Sequence, residues 1–385
     1  MLLLNVIFFV CAALTVYHYI VYPAIVILLA RAAGKPVPPR EPAEADWPTL
    51  TVVIAAYNEE RVIHDKLLNT LSLDYPAGKL EVVVAADGSS DGTQKIASQF
   101  ADRGVRVLHD PQRRGKTSAL NRALAVARGD IVVFSDANNL FNTDALRKLV
   151  RHFTDPRVGG VCGLKQIFES ADRESAVGDG LYWKYESAIK MAESRLGSIT
   201  NADGEIFAIR RALYRPLDER LINDDAAITF ELVRSRHRVL YEPLARSYEQ
   251  ASITIEDDFN VKVRMVSGGF QTLQYYWRFL VPPRGAFAFA FFSHKILRWT
   301  APELLMAMLA SSAILAATGS TFYMAMLAMQ LAFYLLAAAG WLLRKRGPLA
   351  LPLYVPFYFC AMNTAALFGL YRHLTRSTQW KKAAR

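Results

Sequence analysis

The chain has little cysteine: its 385 residues include three, Cys11, Cys162 and Cys360. They do not fall at the short spacings that cysteine metal sites use, and Cys11 and Cys360 lie in long apolar stretches. The sequence therefore favours a reduced cytosolic protein without a disulfide framework. Four scattered histidines are interpreted as ordinary surface or core residues: His64, His109, His152 and His237.

Acidic residues are missing from the first apolar stretch, residues 2–30, in which His18 is the only basic residue. A membrane-spanning helix needs ~20 apolar residues, so this stretch predicts one. A cleaved signal peptide is the alternative. It is disfavoured because no Lys or Arg precedes Arg31 and the apolar run is longer than the core of a signal peptide.

Apolar character returns near the other end, although hydrophobic residues make up 52% of the whole chain and the mean hydropathy is only +0.15. Residues 304–317, 322–343 and 349–371 each predict a membrane segment. Basic residues follow the first and third of the four segments, so the positive-inside rule places the middle of the chain in the cytosol. The sequence thus predicts a multi-pass protein of the cell (plasma or inner) membrane.

The basic tail, residues 372–385, does not fit four simple crossings, which would place it on the opposite side from the middle domain. Pro352 and Pro356 could instead break the last segment into a re-entrant hairpin. The net charge of +10 does not predict nucleic-acid binding, because no Lys/Arg stripe is interleaved with aromatic residues. Membrane lipids and a diphosphate are the partners that this charge favours.

The middle of the chain alternates short apolar runs with helical patterns. After a proline-rich linker at residues 31–48, the β-rich runs are residues 50–56, 80–86, 105–109, 130–135 and 158–164. Such strands, separated by helices, predict an α/β domain with a mostly parallel sheet that is covered on both faces. Ligands of these sheets bind beyond the carboxyl ends of the strands, which is where candidate site residues are sought.

Polar residues follow the first two strands. Tyr57 and Glu59 come after the first strand, and Asn58 between them either faces a ligand or caps the following helix. Asp87 ends the second strand, just before a turn whose Ser and Asp residues are expected to cap the next helix. Because Asp87 precedes that turn, its carboxylate is the better candidate for a ligand contact.

A lysine and a metal-binding motif follow further along the chain. Lys116 lies at the start of a predicted helix, where its charge would meet an anion, although the surrounding residues are not a P-loop. Asp136 and Asn138 follow the fourth strand. Mg²⁺ or Mn²⁺ binds one or two protein carboxylates together with phosphates, so this pair predicts a metal site for a nucleoside diphosphate.

Two adjacent acids, Asp224 and Asp225, begin a helix that is predicted to end near Arg236. Two interpretations stay open. Acids in the first turn are favoured by the helix dipole alone. Adjacent carboxylates also raise the pKa of one member, which would suit a general base.

Taken in order, these motifs resemble those of the family 2 inverting glycosyltransferases, over roughly residues 50–269. They are Ala56-Tyr57-Asn58-Glu59, residues 87–93, Gly115-Lys116 with Ala119-Leu120-Asn121, Ser135-Asp136-Ala137-Asn138, Gly204 with residues 208–211, and Asp224-Asp225. The membrane segments around them look like the synthase branch, which includes cellulose, hyaluronan and poly-N-acetylglucosamine synthases.

This resemblance implies a GT-A fold, a nucleotide-sugar donor that is usually a UDP-sugar, and a divalent metal. It also implies one displacement in which an acceptor hydroxyl inverts the anomeric carbon. The implied roles are donor contacts by Tyr57, Glu59, Asp87, Lys116, Asp136 and Arg264, metal binding by Asp136 and Asn138, acceptor contacts by Gly204 and Asp224, and proton abstraction by Asp225.

Three positions depart from the family pattern. An alanine stands where the first motif has proline, the metal motif ends in Asn138 instead of an acid, and the Gln-x-x-Arg-Trp signature falls at residues 261–265, of which only Arg264 matches. Arg264 can still bind a diphosphate through two hydrogen bonds. Met265 cannot stack on an acceptor sugar as tryptophan does, so processive synthesis is not predicted.

The predicted organisation is a membrane helix (residues 1–30), a linker (31–48), a GT-A domain (49–285), an interfacial amphipathic helix (286–300), three membrane segments (301–371) and a basic tail (372–385). The interfacial helix is expected to place Lys295 and Arg298 against lipid phosphate.

Three functional hypotheses follow. The first is sugar transfer to an acceptor hydroxyl in extracellular polysaccharide synthesis. The second is transfer of a single sugar to a membrane lipid, a polyprenyl phosphate or a glycolipid. The third, a non-catalytic membrane scaffold, is disfavoured because Asp87, Asp136 and Asp225 are all present.

Overall fold

The computed structural model describes residues 1–36, 38–168, 175–250, 255–280, 285–344 and 351–375. Within these ranges the centre of the chain forms one eight-stranded sheet between helices, and both ends form long apolar helices. The strands are β1 (Leu50–Ala56), β2 (Leu80–Asp87), β3 (Val105–Asp110), β4 (Ile131–Asp136), β5 (Asn139–Phe141), β6 (Val158–Phe168), β7 (Phe207–Arg210) and β8 (Arg238–Gln250).

The helices cover both faces of the sheet and form the apolar ends. They are α1 (Leu2–Val16), α2 (Tyr22–Ala33), α3 (Ile63–Leu71), α4 (Thr93–Ser98), α5 (Lys116–Val126), α6 (Ala145–Val150), α7 (Ser175–Leu196), α8 (Asp224–Arg234), α9 (Ile255–Leu280), α10 (Gly285–Phe291), α11 (Leu297–Trp299), α12 (Ala301–Ala316), α13 (Thr321–Leu343) and α14 (Leu351–Leu374). Helices α5 and α8 begin at Lys116 and Asp224, within one residue of the predicted starts.

The sheet has the order β3-β2-β1-β4-β7-β6-β8-β5. The neighbours β3, β2, β1 and β4 pair in parallel, and β7 joins β4 antiparallel. Val52 and Val53 are both fully buried and belong to two different hydrophobic clusters, one on each face of the sheet. A sheet covered on both faces needs apolar residues at consecutive positions, so the predicted α/β class is confirmed.

The helix after β1 begins at Ile63, so Asn58 does not cap it. Residues 59–62 form a turn, because their backbone groups bind the loop after β2. The N–H of Glu59 donates to Oγ1 of Thr93 at 2.7 Å, and the N–H of Glu60 donates to Asp91 at 3.2 Å. The two loops at the carboxyl ends of β1 and β2 are therefore tied together.

Three helices among the described residues are long and apolar enough to cross a membrane: Leu2–Ala33, Thr321–Leu343 and Pro352–Leu374. The first joins α1 to α2 through a π-helical turn, Tyr17–Val21. Helix α12 is long and apolar enough to cross a membrane only when it is counted together with Gly285–Trp299, and the two segments are bent by 60°. Cys11, Cys162 and Cys360 are free.

The charged side chains of the segment Gly285–Trp299 point towards the rest of the protein. The prediction that Lys295 and Arg298 contact lipid phosphate is therefore wrong. Lys295 Nζ lies 3.1 Å from Glu186 on α7, and Arg298 bonds the same carboxylate. This segment contains a second π-helical turn, Phe292–Ile296, which packs against the π-helical turn Tyr17–Val21 of the first helix. There, His18 Nδ1 lies 2.8 Å from the backbone oxygen of Ser293.

Glu193 on α7 is the centre of this junction. Its carboxylate accepts from Tyr22 Oη in the first membrane helix at 2.8 Å, and His294 Nδ1 lies 2.8 Å away. It also accepts from both the N–H and the Oγ1 of Thr200, each at 3.1 Å. One buried carboxylate thus joins the first membrane helix, the segment before α12 and the loop that leads to Gly204.

Helix α14 runs without a break through Pro356 and ends beside the sheet domain. The Phe368 ring lies 5.8 Å from the ring of Phe259 on α9, and a Cβ added to Gly369 would lie 2.7 Å from Val266 Cβ. The break that the two prolines could have caused does not occur in the described residues. Residues 376–385 of the predicted basic tail lie outside them.

The junction gives a first prediction. Replacing Glu193→Ala removes the acceptor of the hydrogen bonds that Tyr22 Oη and both the N–H and the Oγ1 of Thr200 donate, and each buried donor left without a partner costs about 1–3 kcal/mol. We expect the midpoint of thermal unfolding in detergent to fall by about 5 °C or more. Glu193→Gln, which keeps one acceptor oxygen, should lose less. Glu44→Ala, at a side chain that is 72% exposed, is the control. An unfolding midpoint of Glu193→Ala equal to that of the control would contradict this role.

Candidate active site

The first wall of the site is the pair of loops that follow β1 and β2. Asn58 has φ 52°, in the left-handed region that asparagine tolerates, and its Oδ1 accepts from the N–H of Ser90 at 2.8 Å. The Arg113 guanidinium lies 3.8 Å from the centre of the Tyr57 ring. Tyr57 and Glu59 are both half-buried. They lie at the carboxyl end of β1, where the sequence predicted a ligand crevice.

Asp87 shapes the loop between β3 and α5. It is 4% exposed and accepts from the N–H groups of Arg114, at 3.1 Å, and Gly115, at 2.6 Å. Arg122 on α5 bonds the same carboxylate at 3.1 Å. A carboxylate that accepts several N–H groups orders the backbone around it. Asp87 therefore fixes the loop that presents Lys116, and its contact with a nucleotide stays a prediction.

Lys116 bridges two parts of the site. Its Nζ lies 2.6 Å from Oδ1 of Asp136, and the two side chains are 34% and 35% exposed, so the pair lies in an open cleft. Burial lowers the pKa of Lys116, but the carboxylates of Asp136, Asp224 and Asp225 outweigh it and raise that pKa above its usual range. The ammonium group is thus charged at neutral pH and neutralises part of a cluster of three acids.

The motif predicted to bind metal offers one carboxylate and one amide. Asn138 Nδ2 donates to Glu249 Oε1 at 2.7 Å, which leaves the amide oxygen as the ligand atom of this residue. No group of three or more His, Cys, Asp or Glu side chains in the described part of the chain could hold a metal on its own. Asp136 and Asn138 fit Mg²⁺ or Mn²⁺ that takes further oxygen ligands from a diphosphate.

Asp224 and Asp225 lie in the first turn of α8, against Gly204. The N–H of Gly204 donates to Asp225 Oδ2 at 3.3 Å, and the N–H of Ala226 donates to Oδ1 at 2.7 Å. A Cβ on Gly204 would lie 3.2 Å from Asp225 Cβ, 3.4 Å from Asp224 Oδ2 and 3.6 Å from Lys116 Nζ. The absence of a side chain at residue 204 therefore lets the carboxylate pair and the lysine come together.

The environment of the pair favours a base that works near neutral pH. Burial and the neighbouring Asp224 carboxylate raise the pKa of Asp225 to about 7, although Lys116 opposes this. Burial also raises the pKa of Asp224, whose Oδ2 is buried without a hydrogen-bond partner among the described residues. A carboxylate whose pKa lies near the working pH is suited to accept a proton from a hydroxyl group.

Helix α9 closes the site on the side of the acids. Asn223, just before the carboxylate pair, donates from Nδ2 to the backbone oxygen of Met265 at 2.9 Å. A Cβ on Gly268 would lie 2.4 Å from Asn223 Oδ1. Arg264 is close enough for its charge to act on Asp224. The altered signature of residues 261–265 therefore lies on the helix that holds the base motif.

Two polar connections behind the site were missed by the sequence analysis. Lys190 on α7 bonds Asp203, the neighbour of Gly204, at 2.6 Å. Lys165 bridges Glu205, at 2.5 Å, to Glu249, the partner of Asn138. The adjacency of Asp203 to Gly204 was a usable signal. Glu186, Lys190 and Glu193 of α7 gave no usable signal, because charged residues at helical spacing usually indicate a solvent-exposed face.

Comparisons with known proteins match this chain to glycosyltransferases. Residues 51–217 match the model of glycosyl transferase family 2, a range that runs from β1 to the loop before α8. A poly-beta-1,6-N-acetyl-D-glucosamine synthase of Staphylococcus aureus is 28% identical over 229 residues, and its Staphylococcus epidermidis counterpart is 27% identical. These matches cover 58% of this chain and 55% of the relatives, so the chain spans about half of their length.

A solved structure matches nearly the whole chain. It is the mannosyltransferase PcManGT from Pyrobaculum calidifontis in complex with GDP-Man and Mn²⁺, with a TM-score of 0.74 and 24% identity. The match covers 96% of this chain and 99% of that one. At this identity the likeness concerns the fold, and it confirms the predicted GT-A fold together with apolar helices that could span a membrane.

Proposed function

We propose that this chain, whose residues 51–217 match glycosyl transferase family 2, moves one sugar from a nucleoside-diphosphate donor to an acceptor hydroxyl with inversion at the anomeric carbon. The observation that carries the proposal is the adjacent pair of a buried Asp224 and a partly buried Asp225, in which the pKa of Asp225 is raised to about 7. Half-ionised at neutral pH, Asp225 can take a proton from a hydroxyl group.

In the proposed reaction, the acceptor hydroxyl attacks the anomeric carbon from the face opposite the diphosphate. The bond between that carbon and the diphosphate oxygen breaks, and the leaving nucleoside diphosphate keeps the electron pair. The hydroxyl proton passes to Asp225. Gly204 supports this step because its N–H donates to Asp225 Oδ2 and its missing side chain lets Asp225 and Lys116 come close together.

Positive charge near the cleft stabilises the leaving group. Lys116 lies between Asp136 and the carboxylate pair, and it is the protein group best placed to meet a diphosphate. Arg264 acts on the acceptor side through its charge. Asp136 and Asn138 would hold a divalent metal, which supplies Lewis-acid stabilisation of the phosphate oxygens when bound. Tyr57, Glu59 and Asp87 are proposed to bind the nucleotide.

The sugar and the acceptor are proposed from the relatives. The synthase relatives make a poly-N-acetylglucosamine, which supports a UDP-sugar donor and a glycan acceptor in extracellular polysaccharide synthesis. The solved mannosyltransferase binds GDP-Man, which makes a GDP-sugar the second donor to test. Transfer of a single sugar to a lipid-linked acceptor is the second candidate, favoured by Met265 at the position of the stacking tryptophan.

Association with a membrane follows from the apolar helices. We propose that the chain crosses a cell membrane several times with the sheet domain in the cytosol, where nucleotide sugars are made. Arg31, at the end of the first membrane helix, and Arg344, at the end of α13, support this orientation by the positive-inside rule.

Replacement of the base tests the proposed reaction. Asp225→Asn keeps the size of the side chain but cannot accept the proton, so we expect transfer to fall by ~10²–10⁴-fold. Donor binding, measured by calorimetry with Mn²⁺ present, should change by less than about threefold. A transfer rate equal to that of the unaltered protein would remove Asp225 as the base.

The pH dependence tests the charge balance around the pair. The ionised form of Asp225 is the active one, so transfer should rise as pH increases through about 7. Lys116 lowers the pKa of Asp225, so Lys116→Met should move the midpoint upward by about one unit or more. Lys116→Arg, which keeps the charge, is the matched control. A midpoint in Lys116→Met at or below that of the unaltered protein would contradict the assignment.

Donor and product identity need a direct experiment. Purified protein with native lipid is incubated with UDP- and GDP-sugars and with Mn²⁺ or Mg²⁺, and both nucleotide release and product size are recorded. We expect release with one donor class only. No release with any donor would contradict the proposed enzyme, and a long product would decide for polysaccharide synthesis over single transfer.

A further inference from the structure

Asn138 is the position at which the metal motif departs from the family pattern, which has a second acid there. The residue lies directly before β5, is partly buried, and carries a neutral amide. An amide can offer a metal ion its oxygen, but its NH₂ group only donates hydrogen bonds. Asn138 can therefore serve as a ligand in only one of the two orientations of its amide.

Glu249 on β8 selects that orientation. Its side chain is buried, and its Oε1 lies 2.7 Å from Asn138 Nδ2. An ionised carboxylate only accepts hydrogen bonds, so the NH₂ group of Asn138 must face Glu249 and the amide oxygen must face away from it. The register of the sheet brings the two residues together, because Asn139 of β5 pairs with Glu249.

The charge of Glu249 is balanced from the side opposite Asn138. Lys165 on β6 bonds Oε2 of Glu249 and also Oε2 of Glu205, the second at 2.5 Å. The three side chains are at most 15% exposed. A carboxylate buried this deeply is stable as an anion only when it is paired, and Lys165 supplies that partner.

The backbone of the metal motif is held independently of Glu249. Asn139, the neighbour of Asn138, is fully buried, and its Nδ2 donates to the backbone oxygen of Glu205 at 2.9 Å. Its Oδ1 accepts from Lys66 Nζ at 2.7 Å. These bonds fix the path of the chain at the end of β4. What Glu249 adds is the orientation of the Asn138 side chain.

We propose that Glu249 is a positioning residue for the divalent metal, which aims the oxygen of Asn138 into the cleft and carries, one hydrogen bond behind the ligand, the negative charge that the family motif has on its second acid. The inference rests on the proposed function and deepens it, since it assigns a further residue to the same site. Hydrogen-bond partners behind a metal ligand typically change metal affinity by ~10–100-fold when they are replaced.

Replacement of Glu249→Gln tests this role without relying on catalysis. When the glutamine oxygen binds Lys165, its NH₂ group faces residue 138, so the amide of Asn138 turns and no longer presents its oxygen to the metal. Mn²⁺ binding to the full-length protein in detergent is measured by electron paramagnetic resonance, with saturating UDP and, separately, with saturating GDP. We expect the dissociation constant of Mn²⁺ to rise about tenfold or more.

Glu242→Gln is the matched control. Glu242 lies on the same strand, is buried to the same degree as Glu249, and also has a cationic partner, Arg151, at 2.7 Å. Its second partner is His152, outside the metal motif. The dissociation constant of Mn²⁺ in this variant should stay within about twofold of the value for the unaltered protein. Equal dissociation constants in Glu249→Gln and Glu242→Gln would overturn the proposal.

An acid at residue 138 should reverse the effect of the same change. In Asn138→Asp, two carboxylates meet at the 2.7 Å contact and repel each other. In the double variant Asn138→Asp/Glu249→Gln, the glutamine NH₂ group donates to the new carboxylate, whose second oxygen is left for the metal. We expect the double variant to bind Mn²⁺ at least threefold more tightly than Asn138→Asp alone. Weaker binding in the double variant would indicate a merely structural role for Glu249 and overturn the proposal.

The unaltered protein separates this inference from the proposed function. If it transfers sugar while Glu249→Gln leaves Mn²⁺ binding unchanged, the inference fails and the proposed function stands. If it transfers no sugar from any donor, the proposed function fails, and the opposite effects of Glu249→Gln beside asparagine and beside aspartate still support the role of Glu249. No Mn²⁺ binding with either nucleotide would overturn the inference.

Discussion

The packing of two adjacent carboxylates, one buried and one partly buried, beside a single ammonium group is the constraint on which the site depends. Lys116 lies close to Asp224 and Asp225, and the missing side chain of Gly204 lets the three groups come together. Burying like charges together is costly, and the cost appears as the raised pKa of Asp225. That raised pKa is also what makes a carboxylate a useful base near neutral pH.

The membrane helices hold this arrangement from two sides. Through Glu193, the first membrane helix and the segment before α12 bind Thr200, four residues before Gly204. On the other side, α9 holds Asn223 directly before the carboxylate pair, and α14 packs on α9. The loop before Gly204 and the residue before the carboxylate pair are thus fixed by elements that contact the apolar helices.

Much of the fold could be predicted, because strands buried on both faces and helices in lipid leave strong apolar patterns. Strand β1 was predicted at its observed limits, and α8 was predicted to begin at Asp224. The short strands β5 and β7 could not be, since three or four residues carry no periodicity. Lys295 and Arg298 misled because their partner, Glu186, is more than 100 positions away, and no local pattern reports a distant carboxylate. The motif order placed Lys116, Asp136, Gly204 and the acid pair, whereas Glu193 and Glu249 emerged only from the contacts.

The central claim is a single displacement assisted by Asp225, and the configuration of the first product tests it most directly. With a donor whose sugar is α-linked to the diphosphate, the anomeric configuration of the purified glycoside product is measured by NMR. The account predicts a β-linked product, since attack opposite the leaving group inverts that carbon. An α-linked product would contradict it, because retention requires a second displacement or an attack from the face of the leaving group, and neither uses a lone base in the place of Asp225.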